Sequence, residues 1–229
     1  MYYEERKFDI QEHFFKVQRT ASYYTAGYLN EKTQEVWIVL HGYGQLARFF
    51  IKHFEPLFSS HRFIVAPEAL SRFYLDAQYD RVGASWMTKE NRLLEIQDYN
   101  NYLENLITSL IQGIDLNLVS INLLGFSQGA ATMWRFLNYT QLRIDNVIIW
   151  AGIIPAEYQK LHNQNPFSLI AVLGKKDPYI TPERKKIFQQ VIQDSGRNWL
   201  LIEFDGAHTI APEPLLEVAA LVRNKTNVI

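Results

Sequence analysis

Residues 116–139 read LNLVSINLLGFSQGAATMWRFLNY, and the way this stretch divides decides the fold. Leu118 to Gly125 is an apolar run of strand length, and Gln128 to Tyr139 carries its apolar residues at helical spacing. Between them stands Gly125-Phe126-Ser127-Gln128-Gly129, a G-x-S-x-G pattern. The bare pattern carries little weight; set between a strand and a helix, it describes a sharp turn that exposes a serine at the carboxyl edge of a sheet. Glycine on both flanks fits that turn, because a Cβ there would collide with the neighbouring strand or helix.

The flanking sequence repeats the alternation of strand and helix. Upstream, Val36 to Leu40 is a short apolar run ending in His41-Gly42-Tyr43-Gly44, Gln45 to Phe58 reads as a helix, and Phe63 to Ala66 is a further buried strand. Glu68 to Glu90 has weak periodicity and is expected to be a long functional loop. Asn91 to Gln112 has helical periodicity with Gly113 as its stop. Downstream come strands at Val147 to Trp150, Ser168 to Leu173 and Trp199 to Phe204, with helices at Thr181 to Ser195 and Pro212 to Arg223. His13 to Arg19 and Ser22 to Leu29 are predicted to pair as an antiparallel N-terminal hairpin. The expected fold is α/β, a mostly parallel sheet with helices on both faces, formed by residues 1–229 as a single domain.

Composition excludes several functions. The net charge is -1, with Lys and Arg scattered, so the basic footprint of a nucleic-acid binder is missing. With no Cys there is no thiolate nucleophile and no disulfide, which fits a reducing compartment. No run of about 18 apolar residues suggests a membrane span. The opening MYYEERKFDIQEHFF has acidic residues and no apolar core of a secretory signal, so the expected location is cytoplasmic. Nothing in the sequence fixes whether the chain forms a homodimer.

A serine hydroxyl needs a base within hydrogen-bond reach and a carboxylate to orient that base. Only His162 and His208 follow Ser127, and His208 alone stands in a glycine-containing loop after a buried-looking strand, whereas His162 reads as a surface residue. Asp177 follows the strand SLIAVL at the same carboxyl edge; Asp205, three residues before His208, is the rival acid. The backbone N–H groups of Gln128, at the start of a helix, and of Tyr43, between two glycines, are the expected donors to an oxyanion. His41 reads as structural. Trp86, Met87 and Tyr74 are candidates for the walls of a substrate pocket, and no metal or organic cofactor is called for.

With GFSQGA, LHGYG, GKKDPYITPER and FDGAHTIAPE in this order, the chain resembles the phospholipase/carboxylesterase family of α/β-hydrolases, which includes acyl-protein thioesterases. The resemblance runs from about Val36 to the C-terminal helix. It implies a serine hydrolase acting on esters or thioesters, with Ser127 as nucleophile, His208 as base, Asp177 as acid, and Tyr43 and Gln128 as oxyanion donors. Gln45, Leu173 and Ala130 stand where the family often has Asp, His and Gly. Two alternatives are a non-catalytic ligand-binding protein of the same fold and a serine peptidase or dienelactone-type hydrolase.

Overall fold

The computed structural model describes residues 9–155, 166–194 and 199–226. Its strands are β1 (Tyr23–Ala26), β2 (Glu35–Leu40), β3 (Arg62–Pro67), β4 (Ser71–Tyr74), β5 (Val82–Ser85), β6 (Ser120–Phe126), β7 (Asn146–Trp150), β8 (Ser168–Gly174) and β9 (Trp199–Phe204). Seven of them form one sheet in the order β1-β3-β2-β6-β7-β8-β9, and β4 and β5 form a separate two-stranded ladder. Within the seven-stranded sheet only β1 runs antiparallel to its neighbour, so β2, β3, β6, β7, β8 and β9 all end at one edge.

Every residue of β2, β3, β6 and β7 is buried, which is why these strands read as unbroken apolar runs rather than alternating ones. Alternation nevertheless sorts their side chains. Val36, Ile38 and Leu40 face α2 (Arg92–Ile111) and α3 (Gln128–Tyr139) through Leu103, Ile107, Met133 and Phe136. Trp37 and Val39 face the other side, where α1 (Ala47–Phe50) and the last helix bring Phe50, Leu215 and Val218. Counting α4 (Pro182–Asp194) and α5 (Pro212–Thr226), helices cover both faces, as the sequence suggests.

Three expectations change. The segment His13 to Arg19 forms no strand and is exposed, and Tyr23–Ala26 pairs antiparallel with β3 instead. Strand propensity needs a partner and a face to bury against, and β3 supplies both to β1 alone. Gln45 to Phe58 is not one helix: after a single α-helical turn, Ile51–Leu57 tightens to 3₁₀, with Pro56 removing a backbone donor. The segment Glu68 to Glu90 contains the β4–β5 hairpin, whose four-residue strands are too short to leave a clear period in the sequence. His162 and Ser195 lie outside the described residues.

Among the described residues, no helix is long and apolar enough to cross a membrane.

Candidate active site

Ser127 links the end of β6 to the start of α3 with φ 54° and ψ -116°, a backbone conformation that a non-glycine residue adopts at a cost of about 1–3 kcal/mol. Tight packing holds it there. A Cβ on Gly129 would sit 2.2 Å from the Leu40 carbonyl oxygen, and one on Gly125 would sit 2.5 Å from the Ala130 Cα. The Ser127 N–H donates to the Trp150 carbonyl at 2.9 Å, tying the turn to the neighbouring strand.

Two loops at the same sheet edge supply an acid and an imidazole. Lys175 and Lys176 donate their N–H groups to the carbonyls of Phe204 and Gly206, both at 2.9 Å, so the loops after β8 and β9 are zipped together. Asp177 and His208 meet across that zipper, with Nδ1 of His208 2.6 Å from Oδ2 of Asp177. A carboxylate only accepts, so Nδ1 is the donor, and in the neutral imidazole that leaves the lone pair on Nε2. The Asp177 side chain is 0% exposed and that of His208 20% exposed. The other Asp177 oxygen accepts the Tyr179 N–H at 2.8 Å. The rings of Phe126 and Tyr179 each lie with their centroids 4.8 Å from that of His208, so the imidazole stands against the residue preceding Ser127. No hydrogen bond joins Ser127 to His208 among the described residues.

Asp205 takes no part in this contact. It is exposed and pairs with Lys176 at 2.8 Å. The Lys176 hydrogen bond, and then its charge, hold the Asp205 carboxyl below the usual carboxylate range.

The loop after β2 stands opposite. His41 is fully buried: the Ala69 N–H donates to its Nε2 at 3.0 Å, which leaves Nδ1 as the donor to the Gly42 carbonyl at 2.7 Å. Burial pushes the His41 pKa down to about 4, so it is a neutral structural post, in keeping with its sequence reading. The Gly42 N–H donates to Gln45 Oε1 at 2.8 Å, the Gly44 N–H to the Ala84 carbonyl at 2.9 Å, and the Gln45 N–H to the Gly42 carbonyl at 3.3 Å. The N–H groups of Tyr43 and Gln128 have no acceptor among the described residues. That is the state expected of donors kept for an incoming oxygen.

The Gln128 side chain was not anticipated from sequence. Its amide donates to Ser85 Oγ at 3.1 Å and to the Met87 carbonyl at 2.8 Å, and its Oε1 accepts the Trp86 N–H at 3.1 Å. It therefore clamps the strand end at 85–87 to the turn that carries Ser127. Only the amide in G-x-S-Q-G hints at this, because the partners lie about 40 residues away in the chain.

The three pocket candidates do not come together. Trp86 is 2% exposed and lies in the core against His41 and Tyr99. Met87 is half-buried beside the Gln128 clamp. Tyr74 is 56% exposed on the hairpin and packs on Tyr79. No group of three His, Asp or Glu among the described residues is arranged to hold a metal ion.

A family model described as Phospholipase/Carboxylesterase matches residues 28–224. The chain belongs to this family. The matched stretch contains Tyr43, Ser127, Gln128, Asp177 and His208. Solved structures with the same architecture include Zea mays acyl-protein thioesterase 2 (16% identity, 91% of this chain and 100% of that one, TM-score 0.69). The Bacillus cereus carboxylesterase is similar at 14% identity over 90% of this chain and 94% of its own, with a TM-score of 0.67. Esterase PE8 is similar at 18% identity over 90% and 99%, with a TM-score of 0.64. At these identities the likeness is one of fold, the α/β-hydrolase fold of the phospholipase/carboxylesterase family. No curated protein matches the sequence.

Proposed function

We propose that this chain is a serine hydrolase that cleaves carboxylic esters or thioesters through an acyl-enzyme on Ser127. The observation that carries the reading is the 2.6 Å contact between His208 Nδ1 and Asp177, made beside the strained turn of Ser127. That contact turns the Nε2 lone pair outward as a base.

In the first step Ser127 Oγ attacks the carbonyl carbon and gives its proton to Nε2 of His208. The oxygen of the tetrahedral adduct is held by the N–H groups of Tyr43 and Gln128, and loss of one such donor costs about 3 kcal/mol of barrier in a comparable site. The bond to the leaving oxygen or sulfur then breaks, and the leaving group takes the proton back from His208. Water enters by the same route, with His208 again as base, and releases the carboxylic acid and free Ser127. Asp177 keeps the imidazole in the right tautomer and stabilises its cation without taking the proton.

The test is labelling and turnover. The wild-type chain should bind a fluorophosphonate covalently at one site and hydrolyse p-nitrophenyl acetate. Ser127→Ala should do neither while unfolding at the wild-type temperature. Turnover by Ser127→Ala at the wild-type rate would sink the assignment, and an unlabelled wild-type chain would favour a non-catalytic ligand binder.

A further inference from the structure

A cavity of about 410 Å³ opens between α1 and the β4–β5 hairpin, and its wall begins at Gly44, the residue after Tyr43. Tyr43, Ser127, Gln128, Asp177 and His208 do not line it, and Gly44 is its link along the chain to the loop of Tyr43. Leu46, Phe50, Leu75 and Val82 give it an apolar wall, and the exposed Arg48 and Arg81 also line it.

The charges that line it are not balanced in the protein. The Arg48 guanidinium lies 4.6 Å over the Phe49 ring, and the ammonium of Lys52, which does not itself line the cavity, lies 5.7 Å from the same ring. Neither Arg48, Lys52 nor Arg81 pairs with a carboxylate among the described residues. Asp80 is the one carboxylate lining the cavity, against two guanidinium groups. His53, also in the lining, is held below the ordinary imidazole range by desolvation and adds no charge of its own near neutrality. Stacking on an aromatic face stabilises a cation without neutralising it, and an apolar wall beneath strengthens its field toward a bound anion.

We propose that this cavity is an anion subsite, which takes an ester or thioester bearing a carboxylate or phosphate on a short apolar arm. The inference rests on the Ser127 hydrolase reading and narrows its substrate class. A scissile carbonyl held at Tyr43 and Gln128 leaves one arm of the substrate to run past Gly44 into the cavity. There its methylene groups meet Leu46, Leu75 and Val82, and its anionic end meets Arg48 and Arg81.

The experiment uses matched pairs of substrates on the full chain. Mono-(4-nitrophenyl) succinate against its neutral methyl ester places the anion on the acyl arm. Acetylated 4-hydroxybenzoate against its methyl ester places it on the leaving group, with each rate divided by the uncatalysed rate. In one of the two pairs the anionic member should have the higher kcat/KM, by roughly fivefold to tenfold for two partly solvated cations. That ratio should shrink as salt is raised to about 0.5 M. It should fall toward one in Arg48→Gln/Arg81→Gln and below one in Arg48→Glu/Arg81→Glu, substitutions at exposed positions that leave the core untouched. Equal kcat/KM within both pairs, or a preference that survives in both double variants, overturns the subsite while leaving the hydrolase in place. Failure of a fluorophosphonate to label Ser127 overturns the hydrolase reading, and the subsite with it.

Discussion

The Trp86 indole N–H donates to the His41 backbone carbonyl at 2.8 Å. Trp86 is in turn held through its own backbone by the Gln128 side chain, at 3.1 Å. The loop that carries Tyr43 and the turn that carries Ser127 are thus joined through one buried residue, by its indole on one side and its backbone on the other. Replacing Trp86 by Phe keeps most of the ring but leaves the His41 carbonyl without its donor, at a cost of about 1–3 kcal/mol. Urea unfolding of Trp86→Phe should show a lower midpoint with an unchanged slope, the product of slope and midpoint shift giving that loss.

Gln128→Met keeps the length of the side chain and the backbone N–H but removes three hydrogen bonds. If the clamp positions the oxyanion donors, kcat should drop by roughly tenfold to a hundredfold while KM changes little, because the loss falls on the transition state. A variant in which KM alone rises would show that the clamp serves ground-state binding.

Asp177→Asn removes the acceptor of the His208 Nδ1 proton and favours the wrong tautomer. In the Ser-His-Asp template the corresponding change lowers kcat by about ten thousandfold, and a loss of at least about a thousandfold is expected here. Asp205→Asn, which breaks only the exposed pair with Lys176, should leave turnover within about twofold of wild type.

Burial sets the pH response of His41. Its folded pKa of about 4 lies below the ordinary 6.5, so the unfolded chain binds the proton more readily between these values. Its contribution to stability is complete above pH 6.5 and is lost as pH falls toward 4, and the gap corresponds to roughly 3 kcal/mol. Denaturant melts between pH 7 and 4 should show this decline. His41→Gln should be less stable at pH 7 and show a shallower slope across the window; an unchanged slope would remove His41 as its source.

Gly129→Ala should be the most disruptive single methyl in the chain's elbow. Its Cβ would lie 2.2 Å from one carbonyl oxygen and 2.6 Å from the next, those of Leu40 and His41, and both belong to backbone that cannot turn aside. A loss of several kcal/mol is expected, read as a fall in melting temperature or in soluble yield.

Much of the site was legible because its parts sit at strand ends. Ser127 and Asp177 follow strands that are buried almost throughout, whereas β9 before His208 looked buried in sequence but is an edge strand in which only Ile202 is buried; parallel strands bring all three ends to one edge. Asp205 also stands at a strand end, and what favoured Asp177 was that an acid only three residues before His208 reaches its own loop backbone more easily than the far side of the imidazole. What escaped were features that depend on a partner elsewhere in the chain. His13 to Arg19 has strand-like residues and no strand beside it. The four-residue strands of the β4–β5 hairpin were too short to register as a pattern. Trp86 looked like a pocket wall because nothing in the local sequence reveals that its indole lies in the core and bonds to a carbonyl 45 residues earlier.

The hairpin is fastened at its root, where Ala84 exchanges bonds with Gly44 and Gln45, and where Ser85, Trp86 and Met87 meet Gln128. Its far end, from Tyr74 to Arg81, is mostly exposed and has no such fastening to the elbow. The proposed subsite can therefore be redesigned by randomising that outer end, much as one changes the bit of a tool without touching the motor, while Ala84, Ser85, Trp86 and Met87 at the root keep the hairpin fixed to the turn of Ser127.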